Sequence, residues 1–131
     1  MSTPALCPLP VSGVFRYPVG MSRQRFESSR VLVNGRPRPL VDGTRIVVTV
    51  QDGAVSATAG CNAMAVQEGV IDGRLHGRVV MTLKSCGAER DAQDRWLGSF
   101  LGSGPAWEHT GDELRLTAGD TTIVLTAVDD G

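Results

Sequence analysis

The stretch TRIVVTVQDGAVSATA, residues 44–59, predicts a β-hairpin and with it the class of the fold. In its first half every second residue is isoleucine or valine, which is the two-residue period of a half-buried strand. The dipeptide Asp52-Gly53 favours a tight hairpin turn. Residues 54–59 alternate small apolar and hydroxyl side chains, so they are predicted to be the returning strand.

Further short strands lie on both sides of this hairpin. Upstream, residues 26–33 are predicted to be a strand that ends at the turn dipeptide Asn34-Gly35. Pro37 and Pro39 keep the next stretch extended but exclude it from the middle of a sheet. Downstream, turn residues separate further predicted strands at 70–71, 74–75, 79–83, 106–110, 113–117 and 121–128.

One helix is predicted, at about residues 88–101, and it is bounded by Gly102. Its apolar residues recur at helical spacing and are expected to form one buried stripe: Ala92, Trp96, Leu97, Phe100 and Leu101. Trp96 and Trp107 are both expected in the core. This order of elements predicts an α+β fold, mainly antiparallel β, in which one helix packs on a curved sheet or half-open barrel.

The 131 residues are enough for a single domain. We expect a flexible leader at residues 1–24, a domain at 25–128 and a short tail at 129–131. No stretch of about 18 apolar residues is present, so no transmembrane segment is predicted. The first thirty residues lack the pattern of a secretory signal, which predicts a cytoplasmic protein if Met1 is the true start.

Composition excludes several classes of function. Twelve of the thirteen basic residues are arginine, and the chain has only two histidines, which argues against a His-rich metal cage, a polybasic nucleic-acid binder and a coiled coil. Residues 1–50 carry a net charge of +5 and residues 51–131 carry −6. Because the arginines form no Gly-rich repeat, we interpret the basic half as a solvated leader and loop, not as a nucleic-acid interface.

The three cysteines leave two interpretations open. Cys7 lies in the leader, whereas Cys61 and Cys86 lie 25 positions apart in the body of the chain. In an oxidising compartment a bridge closing that loop would contribute about 3–4 kcal/mol to stability. In a reducing cytosol the same two residues would be buried thiols.

No motif for catalysis, cofactor binding or metal binding is present. Neither His76 nor His109 is part of a metal-ligand motif with a His, Cys or Glu three or four positions away, and there is no nucleophile elbow, phosphate loop or calcium loop. We therefore predict no catalytic, cofactor or metal site and no enzymatic activity. Asn62 is the polar residue of greatest interest, either as an Asx turn that caps a bend, which is favoured, or as a ligand contact at the rim of the sheet.

Three segments together resemble the META domain family, the HslJ-like heat-shock proteins. They are Gly60-Cys61-Asn62 after a hairpin, the pre-helix segment from Met81-Thr82 to Ser85-Cys86, and the strand pair in GDELRLTAGDTTIVLTAV. The matching motif residues are Gly60, Cys61, Asn62, Thr82 and Cys86. The resemblance spans residues 26–128, and Phe26 stands where the family commonly has a tryptophan near its first strand.

The resemblance implies a compact antiparallel β fold with a helix laid across it. It also implies an envelope-associated or secreted protein with a role in the stress response, although this chain shows no signal sequence. No catalytic residue or ligand is established for the family, so none is carried over. Because Cys61 and Cys86 both lie in family motifs, the resemblance implies that they are in contact, as a bridge or as packed thiols.

Three functions compete at this point. The first is a non-enzymatic, monomeric domain that binds a small ligand or a partner protein, which predicts an apolar groove at the mouth of the sheet or barrel. The second is a hydrolase, which requires two or more titratable residues converging in that groove. The third is a structural or inhibitor-like module acting through an exposed sheet edge. Pro37 and Pro39 argue against the third because they lie near one such edge.

Overall fold

The computed structural model describes residues 23–128 of the chain. Within these residues the backbone forms eleven strands and one helix. The strands are β1 (Gln24–Val33), β2 (Arg36–Pro37), β3 (Val47–Gln51), β4 (Ala54–Thr58), β5 (Ala63–Val66), β6 (Gly69–Ile71), β7 (Arg74–His76), β8 (Val79–Met81), β9 (Ala106–Thr110), β10 (Glu113–Ala118) and β11 (Thr121–Val128). The helix is α1 (Ala88–Gly102).

The predicted turn dipeptides join neighbouring strands. Positive φ angles occur at both residues of Asn34-Gly35 (55° and 75°), Asp52-Gly53 (52° and 83°) and Asp72-Gly73 (52° and 76°). Such angles characterise the type I′ turn, whose twist matches the right-handed twist of the paired strands. The hairpin predicted from residues 44–59 is therefore confirmed, with β3 and β4 paired from Val47 opposite Thr58 to Gln51 opposite Ala54.

The strands form one antiparallel sheet that curls into a half-open barrel. Their order is β6-β7-β9-β10-β11-β1-β3-β4-β5-β8, and the two-residue β2 pairs with β1 outside this path. Backbone hydrogen bonds from Gln67 to Arg78 and from Glu68 to His76 join β5–β6 to β7–β8 as one long, bent hairpin. Since β5 pairs with β4 and β7 pairs with β9, this hairpin connects the two ends of the sheet, and the predicted fold class is confirmed.

The interior of the barrel is filled by alternating side chains of the long strands. Its largest fully buried members on the strands and their flanks are Phe26, Ile46, Val48, Met64, Leu75, Trp107, Leu114, Leu116, Ile123 and Leu125. Phe26, at the position where the family commonly has tryptophan, is completely buried. Trp107 lies in the core as expected, whereas Trp96 is only half-buried at the edge of the core.

Helix α1 packs across the end of the barrel at which β3 begins and β4 ends, and most of its predicted apolar face is buried. Leu97, Phe100 and Leu101 face the core, whereas Ala92 is exposed. Gln93 and Asp94 are buried in its place. The predicted stripe is therefore confirmed at Leu97, Phe100 and Leu101. It is wrong at Ala92, because Gln93 and Asp94 form hydrogen bonds inside the protein and extend the buried face towards them.

The domain boundaries stay a prediction apart from one correction. Gln24, which was assigned to the leader, begins β1 and lies opposite Val50 of β3. Arg23 is the only other residue of the predicted leader that the structure describes. Residues 1–22, which include Cys7, and the predicted tail at 129–131 lie outside the described residues. No helix within residues 23–128 is long and apolar enough to span a membrane.

Candidate functional site

Asn62 lies at the centre of a buried hydrogen-bond cluster that includes most of the motif residues. Its backbone N–H and its side-chain amide both donate to Asp94 Oδ2, each at 2.9 Å. The amide also donates to the Lys84 carbonyl oxygen at 2.9 Å. Its Oδ1 accepts from the Thr82 hydroxyl at 2.8 Å and from the Lys84 N–H at 2.9 Å. With its side chain fully used and the residue only 5% exposed, Asn62 joins three segments of backbone.

A disulfide bond joins the same segments. Cys61 and Cys86 are bridged, with their Cα atoms 6.0 Å apart. Thr82 strengthens the connection because its hydroxyl also accepts the Ala63 N–H at 3.1 Å. The bend after β4 and the segment between β8 and α1 are thus held together by covalent and polar contacts. We call Cys61, Asn62, Thr82, Cys86 and Asp94 the motif cluster.

Gln93 fixes the helix against the other side of the bend. Its side-chain oxygen accepts the Val41 N–H at 2.8 Å, and its amide donates to Thr44 Oγ1 and to the Ala59 carbonyl, both at 2.9 Å. Neither Gln93 nor Asp94 was identified from the sequence. They lie within a run of charged residues, and nothing in that run indicates that they are buried. The burial of a polar residue on a helix depends on partners that are distant in sequence.

Asp91 holds the turn that precedes α1. Its carboxylate accepts the Cys86 N–H at 2.9 Å and the Ser85 hydroxyl at 2.7 Å. These hydrogen bonds, first that of the Cys86 backbone and then that of Ser85, favour the ionised carboxylate and lower the pKa of Asp91 below its ordinary value of 3.8. A weaker contribution in the same direction comes from the charge of Arg95.

A small cleft of about 280 Å³ opens beside the motif cluster. We call it the motif cleft, and it is lined by Asn62, Met81, Leu83, Lys84, Asp91, Asp94 and Arg95. Asp94 is 1% exposed, and its second oxygen, Oδ1, is shielded from solvent and has no hydrogen-bond partner among residues 23–128. Leu83, by contrast, is 94% exposed on the wall of the cleft.

A larger groove of about 410 Å³ runs between the carboxyl-terminal half of α1 and the β10–β11 turn. We call it the Trp96 groove, and it is lined by Arg74, Trp96, Ser99, Phe100, Ser103, Gly104, Ala118, Gly119 and Thr121. The rings of Trp96 and Phe100 are stacked with their centroids 6.4 Å apart. The guanidinium of Arg38 lies over the Trp96 ring at 4.4 Å from its centroid.

Comparison with protein families identifies the chain. The model of the META domain matches residues 20–130. The chain belongs to the META domain family. A protein structure solved by NMR has a similar fold at 20% sequence identity, with a TM-score of 0.58 over 79% of this chain and 87% of that chain. No curated protein sequence matches the chain.

In this META domain the motif residues Cys61, Asn62, Thr82 and Cys86 are brought together beside the motif cleft. The favoured interpretation of Asn62 needs correction: its side chain does not cap its own bend as an Asx turn, because it bonds to Thr82, Lys84 and Asp94. The alternative, a ligand contact, stays a prediction, and Asn62 lines the motif cleft. Gly60, the first motif residue, supplies the backbone conformation at the bend, with φ of 104°.

The two histidines of the META domain lie apart from the motif cluster. His76 is exposed at the end of β7, and the ring of His109 packs edge-on against Phe26 at a centroid distance of 5.1 Å. Within residues 23–128 no group of three or more His, Cys, Asp or Glu side chains is arranged to hold a metal ion.

Proposed function

We propose that this META domain is a non-enzymatic binding module, of the stress-response or envelope-associated kind that the family resemblance implies. Its ligand is a small molecule with an apolar portion and an anionic group, and it occupies the Trp96 groove. The observation that supports this proposal is the composition of the groove: of the residues that line it within the described part of the chain, only Arg74 is titratable.

The size and apolar wall of the groove suit a small ligand. Ligand sites typically enclose about 300–1,000 Å³ and are mostly apolar with a few oriented polar groups. The groove has 410 Å³, an aromatic wall of Trp96 and Phe100, and the hydroxyl-bearing Ser99 and Ser103 along α1.

The positive charge at the Trp96 groove favours a ligand with an anionic group. Arg74 lines the groove and Arg38 lies against the Trp96 ring, whereas no acidic residue lines the groove within residues 23–128. Arg74 donates to the Gly104 carbonyl at 2.9 Å, which fixes the position of its guanidinium and uses one of its five N–H donors. The remaining donors suit a carboxylate, sulfonate or phosphate.

The hydrolase interpretation finds less support in the same groove. General acid–base or nucleophilic catalysis needs at least two suitable groups within reach of one substrate atom. A single arginine, which stays protonated, supplies neither an acid nor a base at neutral pH.

The sheet-edge interpretation is also weaker. At the ends of the strand order lie β6 and β8, which have three residues each. Edges that short offer few backbone groups to an added strand, although Ile71 on β6 and Val80 on β8 are exposed.

The experiment is a titration with 1-anilinonaphthalene-8-sulfonate, a probe that is both apolar and anionic. We expect saturable binding to the native protein, with a shift of the Trp96 indole N–H signal in a ¹⁵N-resolved NMR spectrum and none for the buried Trp107. Arg74→Gln should weaken binding about threefold or more, in keeping with the loss of an exposed ion pair. The uncharged analogue N-phenyl-1-naphthylamine should bind more weakly to the native protein.

Arg78→Gln is the matched control, because Arg78 is exposed and does not line the groove. It should leave the affinity unchanged. Equal weakening by Arg74→Gln and Arg78→Gln, or no shift of the Trp96 signal at saturation, would show that the groove is not the binding site.

A further inference from the structure

The buried carboxylate of Asp94 has one satisfied and one unsatisfied oxygen. Oδ2 accepts both donors of Asn62, whereas Oδ1 accepts none from the described residues and is shielded from solvent. An acceptor left without a partner in such a place destabilises the fold, and more so when it is charged. Asp94 lines the motif cleft, so the cleft is the side from which a ligand's donor would approach Oδ1.

The other charged residues that line the cleft indicate which kind of ligand could carry that donor. Asp91 is already engaged by Cys86, Ser85 and the charge of Arg95. Lys84, by contrast, lines the cleft and forms no ion pair within residues 23–128. The cleft therefore presents one unmatched carboxylate oxygen and one unmatched ammonium group.

Besides these two polar groups, the motif cleft has an apolar wall. Met81 is half-buried and Leu83 is almost fully exposed, an unusual environment for a large aliphatic side chain. A volume of about 280 Å³ lies at the small end of the range for ligand sites, so the ligand is itself small.

We propose that the motif cleft binds a free α-amino acid with an apolar side chain. Its ammonium group donates to Asp94 Oδ1, its carboxylate pairs with Lys84, and its side chain packs on Met81 and Leu83. Because Oδ1 is shielded, binding requires a side-chain rearrangement that opens a path from the cleft to this oxygen. This site is separate from the Trp96 groove and does not depend on the function proposed for it.

The test uses the full chain and three probes of matched shape. L-Leucine carries both charges, 4-methylpentanoate lacks the ammonium group, and 3-methylbutylamine lacks the carboxylate. By NMR titration we expect leucine to shift the side-chain amide signals of Asn62, with an affinity at least tenfold higher than that of 4-methylpentanoate. Lys84→Gln should lower the affinity for leucine severalfold and leave the affinity for 3-methylbutylamine unchanged.

Asp94→Asn should abolish leucine binding, because an amide N–H₂ then faces the ammonium group. Its remaining oxygen can still accept both donors of Asn62, so the fold is expected to persist. Asp112→Asn, an exposed turn substitution, is the matched control and should bind leucine normally. The probe series on the unsubstituted protein remains decisive even if Asp94→Asn fails to fold.

Three results would overturn the proposal. The first is no saturable leucine binding at millimolar concentration, and the second is equal binding of leucine and 4-methylpentanoate. The third is a strong loss of stability in Lys84→Gln, since that would identify Lys84 as the missing donor to Oδ1.

Discussion

Asn62 donates two hydrogen bonds, from its backbone N–H and its side-chain amide, to the same carboxylate oxygen of Asp94, each at 2.9 Å. This pair joins the bend after β4 to α1, and the Cys61–Cys86 bridge joins that bend to the segment before α1. The helix that covers the end of the barrel is therefore held by polar and covalent contacts as well as by its apolar face.

Asn62→Ala should destabilise the protein by about 3 kcal/mol. The substitution removes the side-chain hydrogen bonds to Thr82, Lys84 and Asp94 and leaves buried groups unpaired, each at a cost of about 1–3 kcal/mol. Urea unfolding followed by tryptophan fluorescence measures the change. Gln67→Ala, at an exposed position, is the control and should alter the free energy of unfolding by less than about 0.5 kcal/mol. Equal stability of the two variants would disprove the structural role of Asn62.

Removal of the disulfide bond should destabilise the protein by about 3–4 kcal/mol, because the bridge closes a 25-residue loop in the unfolded chain. The double variant Cys61→Ala/Cys86→Ala, unfolded in urea, measures the loss. Alkylation of the unreduced, denatured protein followed by mass spectrometry should label one cysteine, and after reduction it should label three. Three labels without reduction would show that the bridge is not formed in the protein as isolated.

The sequence was informative wherever a local rule determines the structure. The alternation in β3 and β4 and the dipeptide Asp52-Gly53 predicted a hairpin that is present, because strand period and turn conformation depend on neighbouring residues. Asp94 is the opposite case. Its burial depends on Asn62, which lies 32 positions earlier and on a different element, and no pattern within the helix indicates that partnership.

Only part of the candidate site was predictable from the sequence. The family resemblance implied contact between Cys61 and Cys86, and the two residues form the bridge. The Trp96 groove and the motif cleft both depend on which face of α1 is buried, and the apolar spacing placed Ala92 inside where Gln93 and Asp94 lie. The spacing of apolar residues alone does not predict the burial of polar residues whose hydrogen-bond partners lie on other elements.

Gly60→Ala should cost more stability than Gly53→Ala. Both glycines have positive φ, 104° and 83°, so both substitutions introduce backbone strain. A Cβ at Gly60 would also come within 2.8 Å of Thr44 Cγ2, whereas a Cβ at Gly53 meets nothing within 4 Å. We expect about 1–3 kcal/mol for Gly60→Ala, measured by urea unfolding. The matched Gly53→Ala variant reports the strain alone, and a loss as large as that of Gly60→Ala would show that contact with Thr44 has no effect.

Asp91 should make stability depend on pH in the acid range. Because the Cys86 N–H and the Ser85 hydroxyl lower its pKa in the folded protein below 3.8, its ionised form stabilises the fold. That contribution is complete above roughly pH 5 and is lost as the pH falls below 3.8 and through the lowered pKa of the folded protein. The difference in free energy of unfolding between the unsubstituted protein and Asp91→Asn should therefore shrink on acidification.

Two further variants separate this effect from general acid denaturation. Ser85→Ala removes one of the two donors, so the pKa of Asp91, followed by the ¹³C shift of its carboxyl group, should rise towards its ordinary value. Asp112→Asn, in the exposed turn before β10, should show the same acid dependence as the unsubstituted protein. An unchanged pKa of Asp91 in Ser85→Ala would show that the Ser85 hydroxyl does not contribute to the lowered pKa. An Asp91→Asn difference that stays constant from neutral to acid pH would contradict a lowered pKa altogether.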